Sequence, residues 1–287
     1  MNITTRMSRP DESAIIHEVI DTARWGITLE CVELVLSLDP QGYILGFDET
    51  GRALGVGFGL GFEQTGWLGH LVVRPETRGL GLGTRLFTEL LEKLKQAGRW
   101  PIYLTATEMG APLYAKFGFV LDGGLTRWEI PDGGQIKVDS SWAQHPDIQV
   151  TGITEADLPE IAAFDALRFG DDRGDLLASF YRLYPGDARL ARRSDGELAG
   201  YVLGGTLGLG PFVAEADAAG PLFAEALTMP LEGRPRRTFT FMDANQLAQE
   251  LCQQAGLIST RTWVRMILGE GCQPKDGQIF NMSVAHG

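Results

Sequence analysis

The spacing of apolar positions changes several times along the chain, and each change marks an element. Leu68, Leu71, Val72 and Val73 form a run that reads as a largely buried strand, ended by Pro75. Beyond it Leu82, Leu86, Leu90 and Leu94 recur every fourth residue, with Phe87 and Leu91 beside them. Arg85, Glu89, Glu92, Lys93 and Lys95 fill the remaining positions, the pattern of an amphipathic helix. Upstream, residues 9–24 and 28–38 read as two helices, and residues 43–48 and 53–62 as strands joined by the turn Glu49-Thr50-Gly51-Arg52. Downstream, Ile102, Tyr103 and Leu104 predict a short strand, and residues 111–117 a short helix. Gly118 closes that helix before another strand begins at Phe119.

Between the first strand and the amphipathic helix stands Arg78-Gly79-Leu80-Gly81-Leu82-Gly83-Thr84. The first amides of a helix have no partner within it and carry the positive end of its dipole, so glycines and an arginine at this place suit an anion such as a phosphate. The spacing excludes two nucleotide loops. Counting G-x-G-x-x-G from Gly79 ends on Thr84 and from Gly81 on Leu86, and Gly83 is followed by Thr84 and Arg85 rather than by Lys and Ser or Thr.

What does fit is Arg78-x-x-Gly81-x-Gly83, which resembles the R/Q-x-x-G-x-G/A loop of the GNAT superfamily of N-acetyltransferases. Leu113-Tyr114-Ala115-Lys116-Phe117-Gly118-Phe119 likewise resembles the L-Y-x-x-x-G-F segment of that family. The resemblance implies an acetyl-CoA site made by the backbone of Leu71, Val72 and Val73 and by Arg78, Gly79, Leu80, Gly81, Leu82, Gly83 and Thr84. It implies that Tyr114 protonates the departing thiolate. Where many relatives carry a glutamate on the fourth strand this chain has Trp67, and Thr105 stands where an Asp is expected in this branch.

The pattern then repeats. Asp21-Thr-Ala-Arg24-Trp25-Gly26 returns as Asp165-Ala-Leu-Arg168-Phe169-Gly170, and Gly51-Arg-Ala-Leu-Gly55 returns loosely as Gly196-Glu-Leu-Ala-Gly200. The stretch around Tyr114 lies over MDANQLAQELCQQAGL, with Gly118 against Gly256, an offset of 138. In the second copy Ala219, Leu222 and Ala224 replace Arg78, Gly81 and Gly83, Cys252 replaces Tyr114, and Asp243 stands opposite Thr105. The chain therefore reads as α/β (α+β), two tandem GNAT folds, each a mixed, mostly antiparallel sheet flanked by helices. Residues 1–131 form the cofactor-binding, catalytic half, 132–147 a linker, and 148–287 a degenerate half. This resembles the tandem, YitH/HolE-type branch of the superfamily, in which the second domain is expected to help enclose the acceptor.

Composition narrows the partners. A net charge of −12 leaves no basic surplus for nucleic acid. Cys31, Cys252 and Cys272 are too scattered for a disulfide framework, and no Cys/His cluster has metal spacing, so no metal is expected. No apolar run approaches the length of a membrane span and no leader is evident, so a cytoplasmic protein with no membrane partner is the expectation.

These readings converge on transfer of an acetyl group from acetyl-CoA to the primary amine of a small molecule, by direct attack in a ternary complex. The alternatives are a peptide or protein N-terminal acyltransferase and a CoA- or metabolite-binding module without turnover. The general base is open between His70 on the fourth strand and a water chain. Strict alternation puts His70 on the face opposite Trp67 and Leu71, and a bulge would change that parity. Trp25, Trp67, Phe169, Asp172 and Arg173 are the candidate acceptor-pocket residues, with core packing as the competing role for the aromatics and helix capping for Asp172.

Overall fold

A computed structural model describes residues 2–108, 110–142, 145–206, 208–230, 238–271 and 273–282. The first half runs β1 (Thr4–Met7), α1 (Ser13–Asp21), α2 (Leu29–Leu38), β2 (Tyr43–Phe47), β3 (Ala53–Gly61), β4 (Gly66–Val73), α3 (Leu82–Gln96), β5 (Ile102–Ala106), α4 (Ala111–Ala115) and β6 (Val120–Glu129). The second runs β7 (Ile148–Gly152), α5 (Leu158–Phe169), α6 (Gly174–Leu183), β8 (Arg189–Arg193), β9 (Leu198–Gly205), β10 (Gly208–Ala214), α7 (Ala216–Thr228), β11 (Thr238–Met242), α8 (Gln246–Gln254), β12 (Ile258–Leu268) and β13 (Ile279–Asn281). The order repeats element for element as far as β12, as the sequence repeat requires.

The alternation in β3 sets the packing of the first half. Val56, Phe58 and Leu60 point to one side, into a core shared with α1 and α2. Gly55, Gly57 and Gly59 point to the other, where the leucines of α3 press close. A Cβ at Gly57 would stand 2.8 Å from Leu90 Cδ1. The absent side chains let α3 lie directly on the sheet, with Leu82, Leu86, Leu90 and Leu94 buried beneath it.

The halves are not two separate sheets. One eight-stranded sheet has the order β1-β2-β3-β4-β5-β12-β6-β11, and a five-stranded sheet the order β13-β10-β9-β8-β7. Strand β12 of the second half is inserted between β5 and β6 of the first, and β6 in turn lies beside β11 of the second. Each half has thus given its sixth strand to the other. The 138-residue offset maps the Thr126–Thr262 pair onto the Gly124–Val264 pair, so a local two-fold passes between β6 and β12. The boundaries at 131 and 148 divide the repeat in sequence, but they do not divide the sheet.

A second seam lies on one face of that sheet, where α1 and α2 meet α5 and α6 in a common apolar core. Phe169, at the end of α5, stacks on Trp67 with ring centroids 5.6 Å apart, and Trp67 stacks on Tyr103 at 4.6 Å. Next to it the Asp171 carboxylate accepts hydrogen bonds from the amides of Gln64 and Thr65 and from the Thr65 hydroxyl, the last two at 2.7 Å. Asp171 is 3% exposed, so this bond network crosses between the halves away from water. The linker does not hang free: Lys137 N–H donates to the Ala255 carbonyl, and Trp142 packs edge-on against Phe223.

Replacing Asp171 by Ala strands the buried amide and hydroxyl of Thr65 and should destabilise the whole chain by about 3 kcal/mol. Urea unfolding followed by circular dichroism should still show one transition, because the exchanged strands couple the halves. Residues 1–131 expressed alone, lacking β12, should not give a cooperatively folded domain.

Candidate active site

The parting of two strands creates the site. β4 and β5 run parallel and pair only over Gly66–Leu68 with Ile102–Leu104. Beyond that point they diverge, leaving Gly69 to Val73 without a strand neighbour on that side. A bulge sits on the diverging part: His70 and Leu71 stand together opposite the single residue Gly57. His70 adopts φ +46, a left-handed conformation rare for a residue with a side chain.

The bulge corrects the parity expected for His70. Instead of facing away from Trp67 it shares the Trp67 face, buried among Tyr43 and Phe58, while Leu71 turns from the Trp67 face to the α3 face. Its Nδ1 lies 3.1 Å from the Tyr43 hydroxyl and its Nε2 has no hydrogen-bond partner. Burial lowers its pKa to about 4. An imidazole so shielded, with so weak an affinity for protons, is a poor general base. His70 is better described as the residue on which the bulge turns.

The loop after β4 has the geometry of an anion cradle. Gly79 and Gly81 adopt φ +79 and +81, where a side chain is strained, and a Cβ at either would meet no protein atom within 4 Å. Gly81 caps α3, and the first bond of that helix runs from Arg85 N–H to the Gly81 carbonyl. The amides of Leu82, Gly83 and Thr84 therefore open toward the loop, with no side-chain cap and no acidic residue in the first turn. Arg78 is exposed at the loop, its Nε bonded to the Val73 carbonyl at 3.1 Å, which leaves the rest of its guanidinium for a ligand. The residues present fit a diphosphate carried on an extended, amide-bearing arm.

Tyr114, on α4, closes the cleft between the diverging strands together with Leu68, Gly69, Leu71, Phe87 and Leu104. Its ring lies 5.0 Å from that of Phe87, and burial pushes its pKa up to about 12. The phenol therefore keeps its proton throughout the neutral range.

The acceptor candidates divide. Trp25 lies on the α1–α2 loop with 37% of its surface exposed, between Arg24 at φ +54 and Gly26 at φ +75. His17 Nε2 donates to the Ile27 carbonyl at 3.0 Å and anchors that loop. Trp67 and Phe169 are instead buried in the seam and line no acceptor surface. Arg173 is fully enclosed, paired through two bonds with Asp165 and stacked over Phe169, so it too leaves the acceptor set. The Asp172 carboxylate accepts from the Gly174 amide at 2.7 Å in the turn that leads into α6, whose N-cap position is Arg173 and carries no side-chain cap. Asp172 and Arg173 border a seam cavity of about 490 Å³ that shares no residue with the cleft at Tyr114.

In the second half the corresponding site is closed twice over. Helix α7 begins at Ala216, directly after β10, so Ala219, Leu222 and Ala224 lie buried inside a helix and no loop remains. The gap between β10 and β11 is filled by β13, which pairs antiparallel with β10. The Asn281 side chain bridges that gap, donating to the Gly210 carbonyl at 2.8 Å and accepting from Thr240 N–H at 2.7 Å. Nothing in the residue pattern had marked the final strand for this place. Cys252 is buried in α8, and Cys272 lies outside the described residues.

Comparison with known proteins gives the same division. Residues 40–121 match one model of an acetyltransferase (GNAT) domain and residues 161–281 match a second. The chain belongs to the GNAT acetyltransferases, as a tandem of two such domains. It is 29% identical to the N-acetyltransferase YitH of Bacillus subtilis over 151 residues, 51% of this chain and 50% of that protein. It is 34% identical to the glucosamine 6-phosphate N-acetyltransferase of Trypanosoma brucei brucei over 88 residues, 31% of this chain and 58% of that one. The aligned part thus spans about half the length of these curated relatives. A crystal structure of an acetyltransferase from Pyrococcus horikoshii superposes with a TM-score of 0.80 at 23% identity, covering 99% of this chain and 96% of the other, which establishes the shared tandem fold. Among the described residues no group of side chains could hold a metal ion, and no helix is long and apolar enough to cross a membrane.

The unfolded chain takes up a proton at His70 near pH 6.5, which the folded chain refuses until about pH 4. Stability should therefore fall as pH drops through that window, with a slope from this group of at most about 1.4 kcal/mol per pH unit. Urea midpoints at pH 7, 6 and 5 should fall less steeply for His70→Gln than for the natural chain.

Proposed function

We propose that the chain transfers an acetyl group from acetyl-CoA to the primary amine of a small molecule by direct attack in a ternary complex, with all the chemistry in the first half. The observation that carries this reading is the divergence of β4 from β5 above a glycine loop that opens α3, with the Tyr114 phenol in the cleft between them. Kinship with an enzyme named for an amino-sugar phosphate supports a small acceptor.

Acetyl-CoA supplies a thioester carbonyl open to attack and a thiolate leaving group. The free edge of β4 at Leu71, Val72 and Val73 offers amides and carbonyls to its pantetheine arm as an added strand. Arg78 and the loop amides from Gly79 to Thr84 hold the diphosphate. The bulge at His70 and Leu71 takes a backbone amide out of the regular ladder, and this donor stabilises charge on the carbonyl oxygen as the amine attacks. Tyr114, protonated at neutral pH, gives a hydrogen bond and then its proton to the sulfur as the carbon–sulfur bond breaks. The residues lining the cleft include no carboxylate and no imidazole, so the proton lost by the ammonium passes to water.

Two measurements test this reading. Tyr114→Phe should lower kcat about 10- to 100-fold while the CoA dissociation constant stays within about threefold; unchanged kcat would remove Tyr114 from the chemistry. Calorimetry should find one CoA per chain, and Gly81→Val, which strains the loop and fills the cradle, should abolish that binding. Thiol release over a panel of small amines and short peptides then separates metabolite acceptors from polypeptide ends.

A further inference from the structure

The face of β3 that meets α3 does not fix where the β4 bulge sits. It carries glycine at positions 55, 57, 59 and 61, and the bulged pair His70 and Leu71 lies opposite one of these, Gly57. A strand face made of glycines offers no side chains to pin a register, so it would accept the extra residue at a neighbouring step of β4 equally well. The pin has to come from the other face.

On that face three rings lie side by side across β2, β3 and β4. Tyr43 is the register partner of Phe58, and Phe58 is the register partner of Gly69, which brings no side chain. The bulge turns the next residue, His70, into the place that Gly69 leaves open. Its ring centroid lies 5.3 Å from that of Phe58, and its Nδ1 lies 3.1 Å from the Tyr43 hydroxyl. A phenol can give or accept a hydrogen bond, so this one forms with either tautomer of the imidazole. Tyr43 is fully buried and is itself held by its backbone: its N–H donates to the Ser8 hydroxyl at 3.1 Å, and its carbonyl accepts from Ser8 N–H at 2.8 Å. The same hydroxyl donates to the Pro40 carbonyl at 2.9 Å. The phenol thus reaches His70 from a rigid mount. A left-handed backbone in a residue with a side chain persists only where its surroundings hold it, and the Tyr43 hydroxyl is the hydrogen-bond partner that the His70 ring has among the described residues.

We propose that Tyr43 is a positioning residue for acetyl transfer: through its bond to His70 it pins the bulge at His70 and Leu71, and so aims the freed backbone amide at the thioester carbonyl. The proposal rests on the function proposed above and adds a buried residue, on a different strand, to those on which the reaction depends. Without the bond the bulge samples neighbouring steps of β4, while the glycine loop, which follows Pro75, keeps its place.

The test uses the full chain and compares the natural protein with Tyr43→Phe, His70→Asn and His70→Gly. Asn and Gly both tolerate the left-handed backbone, but only Asn keeps a hydrogen-bonding atom near the place of Nδ1. Hydrogen exchange read by mass spectrometry should quicken about fivefold or more across Gly66–Val73 in Tyr43→Phe and His70→Gly, while Leu198–Gly205 keeps its rate. Infrared difference spectra of bound acetyl-CoA, isotope-labelled at the carbonyl carbon, should show a lowered carbonyl stretch in the natural chain. The same two variants should move that band to higher frequency, and His70→Asn should leave it near the natural value. The CoA dissociation constant should stay within about threefold throughout. An exchange pattern or carbonyl band unmoved by Tyr43→Phe, an exchange rise shared equally by Leu198–Gly205, or no recovery in His70→Asn would overturn the proposal. Failure of acetyl-CoA to bind, or a natural-chain carbonyl no lower in frequency than in an apolar solvent, would instead overturn the proposed reaction. Exchange that still responds to Tyr43→Phe would then show that the bulge is anchored as described.

Discussion

Everything in this molecule is arranged around the hydrogen-bonded ladder between β6 and β12. Each strand is the sixth of its own half, and each completes the sheet of the other. The edge of β5 is thereby covered by a strand from far along the sequence, and so is the edge of β11. Unpaired backbone on a sheet edge is costly when buried and hazardous when exposed, so the exchange satisfies both edges at once. The seam through Phe169, Trp67 and Asp171 adds a second set of bonds on one face, and the two together make the repeat one cooperative body.

The same joint explains why the copies could diverge so far. The first half keeps a gap between parallel strands and a glycine loop beneath it. The second has converted the loop into the opening turns of α7 and filled the gap with β13, where Asn281 supplies the donors and acceptor that the parted strands require. A gap of this kind contains backbone groups that must be satisfied by a ligand, by water or by the chain itself. One half leaves them open and the other answers them internally.

Much of this was legible in the residues. The repeat at offsets near 140, the anion loop and the Tyr114 segment are local patterns of short period, and each lies where the sequence placed it. The facing of His70 is open in the sequence because a single inserted residue reverses the facing of a strand, and a bulge leaves no compositional mark. For Trp67 and Phe169 the sequence leaves pocket wall and core packing side by side, because an aromatic beside a helix end looks the same whether it meets a ligand or a second domain. The strand exchange was invisible for a related reason: the register of β12 depends on which of two similar edges it finds, and both halves carry the same pattern. Its signature, the alternation of Arg261, Trp263 and Arg265, acquires meaning only when set against β5.

The unbroken eight-stranded sheet has one more consequence. A two-domain enzyme commonly admits its substrates by swinging one lobe away from the other, as a clamshell does. Here such a swing would have to tear β12 from β5 or β11 from β6, so the continuous sheet opposes it. What freedom the fold keeps is left to segments outside that sheet, such as the short crossing between α1 and α2, where Arg24 and Gly26 take left-handed backbone and the His17 ring bonds to the Ile27 carbonyl.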